Sequence, residues 1–494
     1  MDIAIVFSIY LLIAFGLGLL AVGATVVIGH LASSLPGRMF QVLMWMLVIA
    51  SAMAILMSGR SLRLIADALA IEAQGDVGGF IGAKILLALA LGFATALCVA
   101  WLFRPWWKSL PVNRYAAGGR KPPSDAVWSL LCFYVCFSIV PFVFTDAHYF
   151  HISLVYPLFI FLALLLWMQY SAIDPVVVVK QTLSVLVLGS LVAGAVYPSL
   201  AMQPGYLGLI PGFSMRLWGI TATANTLGSV ALALLMIEVC EPAQRKWLHW
   251  LLLGAAAVTM VLSQSKAAIG AAALGVGLVL LWRWLQKIKA SKAGSAGRGE
   301  LTAMLSLILV LVFVTLGVWV SIADPDIFGG LSRRLNARAM DDLSTATGRV
   351  YIWKFAIQSG LDSPIFGNGG DFWGLETRLR TGLTGATHAH NEFLQVFSRS
   401  GSIGLLAYLW FFGVMCAYAW RAAGPSRGGS LAFMLVFFMR SMVEVPLQPN
   451  SVLGGEFFAF MMLLVYVVDR GARPLTSPRE VPLPGAYMLG QRLR

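Results

Sequence analysis

Apolar residues run along this chain in long stretches, separated by short clusters of charge, glycine and turn residues. A helix crosses the hydrocarbon core of a bilayer in about 20 apolar residues, so the pattern predicts membrane-spanning helices. Such runs lie at 3–29, 39–58, 80–103, 126–144, 150–169, 175–197, 218–240, 247–263, 267–285, 301–323, 402–420, 429–447 and 451–469. The stretch 59–79 also reads as an interfacial helix, which leaves 12 or 13 spans open. The expected architecture is an all-α polytopic membrane protein. It has spans over 1–323, a folded outer lid loop over 324–401 between the tenth and eleventh spans, further spans over 402–469 and a basic tail over 470–494.

Composition agrees with this pattern. Hydrophobic residues make up 59% and charged residues only 12%, about half the usual charge of a soluble domain. A soluble enzyme, a disordered chain and a disulfide scaffold are excluded. The net charge of +13 does not point to nucleic acid, because the basic residues cluster in loops, as membrane insertion requires. Loops 104–124 and 283–300 and the tail are the most basic and are assigned to the cytoplasm. By alternation, 145–149, 198–217, 264–266, 324–401 and 448–450 lie outside. The start, MDIAIVFSIY, lacks the basic region of a cleaved signal peptide. The five cysteines fall in apolar runs and read as small hydrophobes.

In the lid loop, Val350, Trp353 and Ile357 recur at helical spacing behind Thr347, which reads as an N-cap. A second short helix is expected from Asn391 to about Ser400, stopping at Gly401. The topology gathers Arg216, Lys266, Arg349, His388, His390, Asn391, Arg440 and Glu444 on one membrane side. Cations placed where helices meet the membrane either pair internally or bind an anion. Arg440 has an internal partner on offer in Glu444, four residues on. Lys266 has a structural alternative in snorkelling to head groups, and Arg349 in lying on the loop surface. Together, Arg216, Lys266 and Arg349 suit a phosphate or pyrophosphate, with a helix N-terminus expected beside Arg349. His388 and His390 leave three readings open: a structural pair, ligands of a metal with Glu392 and with Asp371 or Glu376 as further ligands, or a general base. His390 is the better base candidate, because Asn391 stands next to it to orient the ring.

The segments RLWGITATANTLG, SQSKAA, TGRVYIWKFA with PIFGNGGDFW, and HAHNEFLQVFSRSGSIGLLAY occur in the order found in the O-antigen ligase and Wzy-type polymerase superfamily, which this chain resembles over about 210–445. Two positions depart from the common pattern: Ala224-Asn225 stands where many members have Pro-Asn, and Ser265-Lys266 where ligases have Ser-Arg. The Ser-Lys turn and Phe372-Trp373 look more like the exopolysaccharide polymerase branch. The resemblance implies an inverting glycosyltransferase of the bacterial inner membrane, with its active site facing the periplasm and no metal or other cofactor. It implies lipid-linked oligosaccharides as donor and acceptor, with a flippase and a chain-length regulator as partners. His390 would be the base, and Arg216, Lys266 and Arg349 the pyrophosphate clamp. His388, Asn391, Arg440 and Glu444 would support them. His388, Trp353, Phe372 and Trp373 would line the sugar side or pack the lid. The alternatives are an O-antigen ligase and a polysaccharide transporter.

Overall fold

The computed structural model describes residues 3–57, 81–102, 123–145, 156–204, 214–291, 339–383, 386–447 and 456–472. Among the described residues the chain is all-α apart from one two-stranded ribbon. The first group of helices is α1 (Ile3–Ser34), α2 (Pro36–Met57), α3 (Ile81–Leu102), α4 (Ser124–Phe144), α5 (Tyr156–Met168), α6 (Pro175–Val196) and the single turn α7 (Pro198–Ala201). β1 (Met202–Pro204) then pairs antiparallel with β2 (Met215–Leu217), placing Arg216 opposite Gln203. There follow α8 (Ala224–Cys240), α9 (Lys246–Ser263), α10 (Lys266–Ser291), α11 (Ala339–Asp362), α12 (Leu375–Thr381), α13 (Glu392–Ala422), α14 (Gly429–Val443) and α15 (Phe457–Gly471). Among the described residues, seven helices are long and apolar enough to cross a membrane. The expected span 301–323 and the candidate interfacial helix 59–79 lie outside the described residues.

Local chemistry sets the helix starts. Asp174 caps α6 by accepting from Val176 N at 3.0 Å, with Pro175 in the first turn. Thr223 caps α8 through Thr226 N, so that helix begins at Ala224, later than the apolar run at 218 suggests. α8 and α15 are apolar on nearly every face and are buried at the centre of the bundle. Large apolar side chains such as Phe15, Val22, Val26, Leu89, Val192 and Leu406 are exposed around the outside, as lipid-facing surfaces require.

The bundle has two distinct poles. At one, buried Arg470 (5% exposed) donates to Asp174 at 3.1 Å, to Asp469 at 2.7 Å and, through Nε, to Glu241 at 2.6 Å. Beside it, Glu238 pairs with Lys180 at 2.9 Å and His249 at 2.7 Å. These contacts lock α6, α8, α9 and α15 together. Exposed Trp128, Trp247, Trp250, Trp284 and Trp420 ring the same end, the position of an interfacial aromatic belt.

With the ends of α6, α8 and α15 tied at that pole, helix length decides depth at the other. α6 has 22 residues and rises roughly 33 Å, whereas 17-residue α8 and 15-residue α15 rise only about 22–26 Å at ~1.5 Å per residue. Beyond the start of α8 this difference is filled by the ribbon and the turn that follows it: Ile220 N donates to Ser190 Oγ at 3.1 Å and Trp218 Nε1 to Leu200 O at 2.9 Å.

The same pole is shaped by a chain reversal. Helix α13 is broken at Gly401 (φ 61°, ψ −158°), where the expected short helix was to stop. Phe393 consequently folds back beside Tyr408 and Phe412, at ring separations of 5.3 and 6.4 Å. The glycine-rich segment 364–369 seals the break. Ser402 N and Ile403 N donate to the carbonyls of Pro364 and Ile365, while Asn368 N and Gly369 N donate to those of Ser398 and Arg399. A Cβ at Gly401 would lie 2.3 Å from Ile365 O, which leaves glycine alone suited to the position.

Candidate functional site

The starts of α8, α10, α13 and α15, and the ends of α9 and α14, converge at the other pole. Asn391 caps α13 by accepting from Leu394 N at 3.1 Å, and its amide donates to Met442 O. Immediately before it, His390 takes a left-handed backbone (φ 48°), a strained conformation of the kind found at functional sites. The two histidine rings lie 4.0 Å apart.

Glu444 sits at the centre of this cluster. Its Oε2 lies 3.2 Å from His390 Nδ1 and 3.4 Å from His388 Nε2, while Oε1 accepts from Arg349 at 3.2 Å. Burial alone would raise this carboxyl. The bonds from His388 and His390 and the charges of His390 and Arg440 outweigh it and hold the group well below the usual carboxylate range. An ionised carboxylate only accepts, so both histidines must present N–H to it. His388 is then engaged at both nitrogens, its Nδ1 lying 3.0 Å from Thr387 Oγ1. His390 keeps the lone pair on Nε2, which contacts no described group. Burial first, then the charges of His388 and Arg349, hold this imidazole below the ordinary 6.5, against the opposing pull of Glu444. The site thus presents a neutral, oriented imidazole backed by a fixed negative charge.

The other expected residues fall nearby, with several corrections. Arg440, 3% exposed, pairs with Glu456 rather than Glu444, its Nε donating at 3.0 Å. The reason is local: α14 ends at Val443 and Glu444 is extended (φ −147°, ψ −178°), so its side chain leaves the helical i+4 position. Arg216 lies in β2 and does not open a span; it donates to Ser263 O at 3.0 Å and to Asn225 Oδ1 at 2.8 Å. Lys266 is the exposed first residue of α10, after Gln264 in a left-handed turn. Arg349 lies within α11, which starts ten residues earlier at Ala339, so Thr347 is not an N-cap and α11 does not begin beside Arg349. The His390 ring is held by Glu444, not by Asn391. Phe372 and Trp373 pack with Phe355, Ala386 and Ala389 in a small separate core, with Trp373 Nε1 donating to Ser398 Oγ; neither lines the site.

The site therefore has two parts, Arg349–Glu444–His388–His390 and Arg216–Lys266. One turn of α8 joins them: Asn225 holds Arg216, and Ser229, four residues on, donates to Glu456 at 2.9 Å. Gly228 on the same turn lets Ser265 pack against the helix, since a Cβ there would meet Ser265 at 2.7 Å. Glu456 and Ser229 are functional neighbours that sequence reasoning missed. Glu456 is an acidic residue within an otherwise apolar run, and that was the available signal. The atoms of His388, His390 and Glu444 also lie within 4.8 Å of one another, compatible with a metal ligand set. Asp371 and Glu376 belong to no such group among the described residues.

The fold and this pole define a multi-pass membrane protein with a charged site at one end of its bundle. Residues 251–409 match the protein family described as O-Antigen ligase, a stretch holding Lys266, Arg349, His388 and His390. Over 238 residues the chain is 25% identical to "Exopolysaccharide production protein ExoQ" of Rhizobium meliloti (strain 1021), covering 45% of this chain and 50% of that protein. The chain thus matches about half the length of this curated relative. Both matches bear out the resemblance to the O-antigen ligase and Wzy-type superfamily.

Proposed function

We propose that this protein is an inverting glycosyltransferase that polymerises oligosaccharide units carried on polyprenyl pyrophosphate. His390 Nε2 takes the proton of an acceptor hydroxyl, whose oxygen attacks the anomeric carbon of the donor from the face opposite the leaving group. The bond from that carbon to pyrophosphate breaks, and the pyrophosphate departs with the electron pair. Arg216, Lys266 and Arg349 hold its growing charge, the role that preorganised cations serve best. Glu444 fixes the His390 tautomer and stabilises the imidazolium once it forms. The observation that carries this reading is the His390–Glu444 pair, with one ring nitrogen bound to a carboxylate and the other open.

The reaction needs no metal on this reading, because three cations supply the charge. Arg349, already on the Glu444 carboxylate, opposes a further cation there. The positive-inside rule supports a periplasmic site, since Arg245, Lys246, Arg283, Arg421 and Arg427 lie toward the tryptophan-ringed pole. The membrane is then the bacterial inner membrane, with a flippase and a chain-length regulator as working partners.

A second reading, transfer of finished glycan to lipid A core, is favoured by the description of the matched family. Purified protein given only lipid-linked repeat units separates the two. Chain growth is expected; transfer only after lipid A core is added would establish the ligase instead.

A further inference from the structure

A second feature of this pole lies apart from the histidines. A cavity of about 460 Å³ opens between the end of α4 and the glycine-rich segment, lined by Phe144, Thr145, Ser363, Ile365, Phe366 and Asn368 among others. Phe144 and Phe366 stack nearly coplanar, with centroids 4.8 Å apart and planes within 12°. Phe144 is 61% exposed, so this pair presents an open aromatic face. The lining also carries polar groups. Asn368 spends both amide hydrogens on the carbonyls of Ser359 and Ser398, which leaves its Oδ1 and the Ser363 hydroxyl without partners among the described residues. The wall is also rigid, because 364–369 is pinned by backbone bonds across the Gly401 break.

An aromatic face in one cavity with a fixed amide and a hydroxyl matches a pyranose, which has an apolar C–H face and a polar rim. The pinning residue Ser398 stands six residues along α13 from Glu392, about 9 Å at the helical rise. That offset is too far for the sugar that reacts at His390 but suits sugars further along the same chain. We propose that this cleft is a glycan subsite that holds non-reacting pyranose units during transfer. The assignment rests on the glycosyltransferase reading above. It gives the protein a way to retain a growing chain between additions.

The test uses full-length protein in nanodiscs with lipid-linked repeat units extracted from the producing bacterium. Phe144→Ala, Phe366→Ala and Phe366→Tyr are compared at equal amounts of folded protein. Loss of an aromatic contact should raise KM roughly threefold to tenfold, with kcat retained and the polymer shifted to shorter chains. Phe366→Tyr keeps the ring and should restore both. Varying preformed lipid-linked polymer against single units shows whether donor or acceptor glycan occupies the cleft, by whichever KM moves. Unchanged KM and chain length in both alanine variants would overturn the subsite, as would a fall in kcat with KM intact. Wild-type protein that extends no chain would instead overturn the parent reading, whatever the variants do.

Discussion

Glu444 Oε2 lies 3.2 Å from His390 Nδ1, and this contact ties the loop before α13 to the end of α14, 54 residues later. It makes His390 a base of defined tautomer. Replacing Glu444 by Gln keeps the shape but removes the charge that stabilises the imidazolium. Glu444→Gln is expected to lower kcat by roughly 10- to 100-fold with little change in KM, measured by single-turnover transfer from lipid-linked units. Equal activity would show that the carboxylate does not serve the base.

The pH profile should follow His390. Its pKa lies below 6.5 because burial disfavours the charged form. The base works when neutral, so kcat/KM should be flat above that value and fall as pH drops through the folded pKa. Arg349 lowers this pKa and Glu444 raises it. Arg349→Gln should therefore move the acid limb to higher pH, and Glu444→Gln to lower pH. Shifts in the reverse directions would remove His390 from the titrating role.

Gly401→Ala places a Cβ 2.3 Å from Ile365 O at a backbone φ of 61°. The expected cost is about 1–3 kcal/mol from the left-handed backbone alone, with more from the clash. Thermal unfolding in detergent should show a lowered midpoint, and activity should fall with it, because the break positions the residues from His390 to Arg399.

At the opposite pole, Arg470→Ala strands Asp174, Glu241 and Asp469 at buried or half-buried sites. Breaking such a cluster costs on the order of 3–5 kcal/mol. Membrane abundance and unfolding midpoint should drop, while the turnover of whatever folded protein remains should match wild type. A selective loss of turnover would mean that this pole serves the chemistry.

Much of this was legible in the sequence. The spans followed from apolar length, and the stop at Gly401 from a glycine after a capped helix begun at Asn391. The gathering of Arg216, Lys266, Arg349, the two histidines and Glu444 at one pole followed from topology. Pairings did not. Arg440 and Glu444 have helical i, i+4 spacing, and only the extended backbone at Glu444 shows that the helix has already ended. Arg470 reads as the start of a basic tail, yet α15 carries it inward to meet acids from α6 and the end of α8. Glu238 and Glu456 are single carboxylates in apolar runs, and neither has a local partner to draw attention to it. Phe372 and Trp373 read equally as a sugar wall or as packing within the loop, and only the fold shows that Phe355, Ala386 and Ala389 pack against them.

The most direct test is His390→Ala in purified, full-length protein supplied with lipid-linked repeat units. Removal of the base should slow chain extension by about 10²-fold or more, with unit-length lipid-linked glycan left unconsumed and the protein folded to the wild-type midpoint. Polymer formed at the wild-type rate and length by that variant would contradict the account.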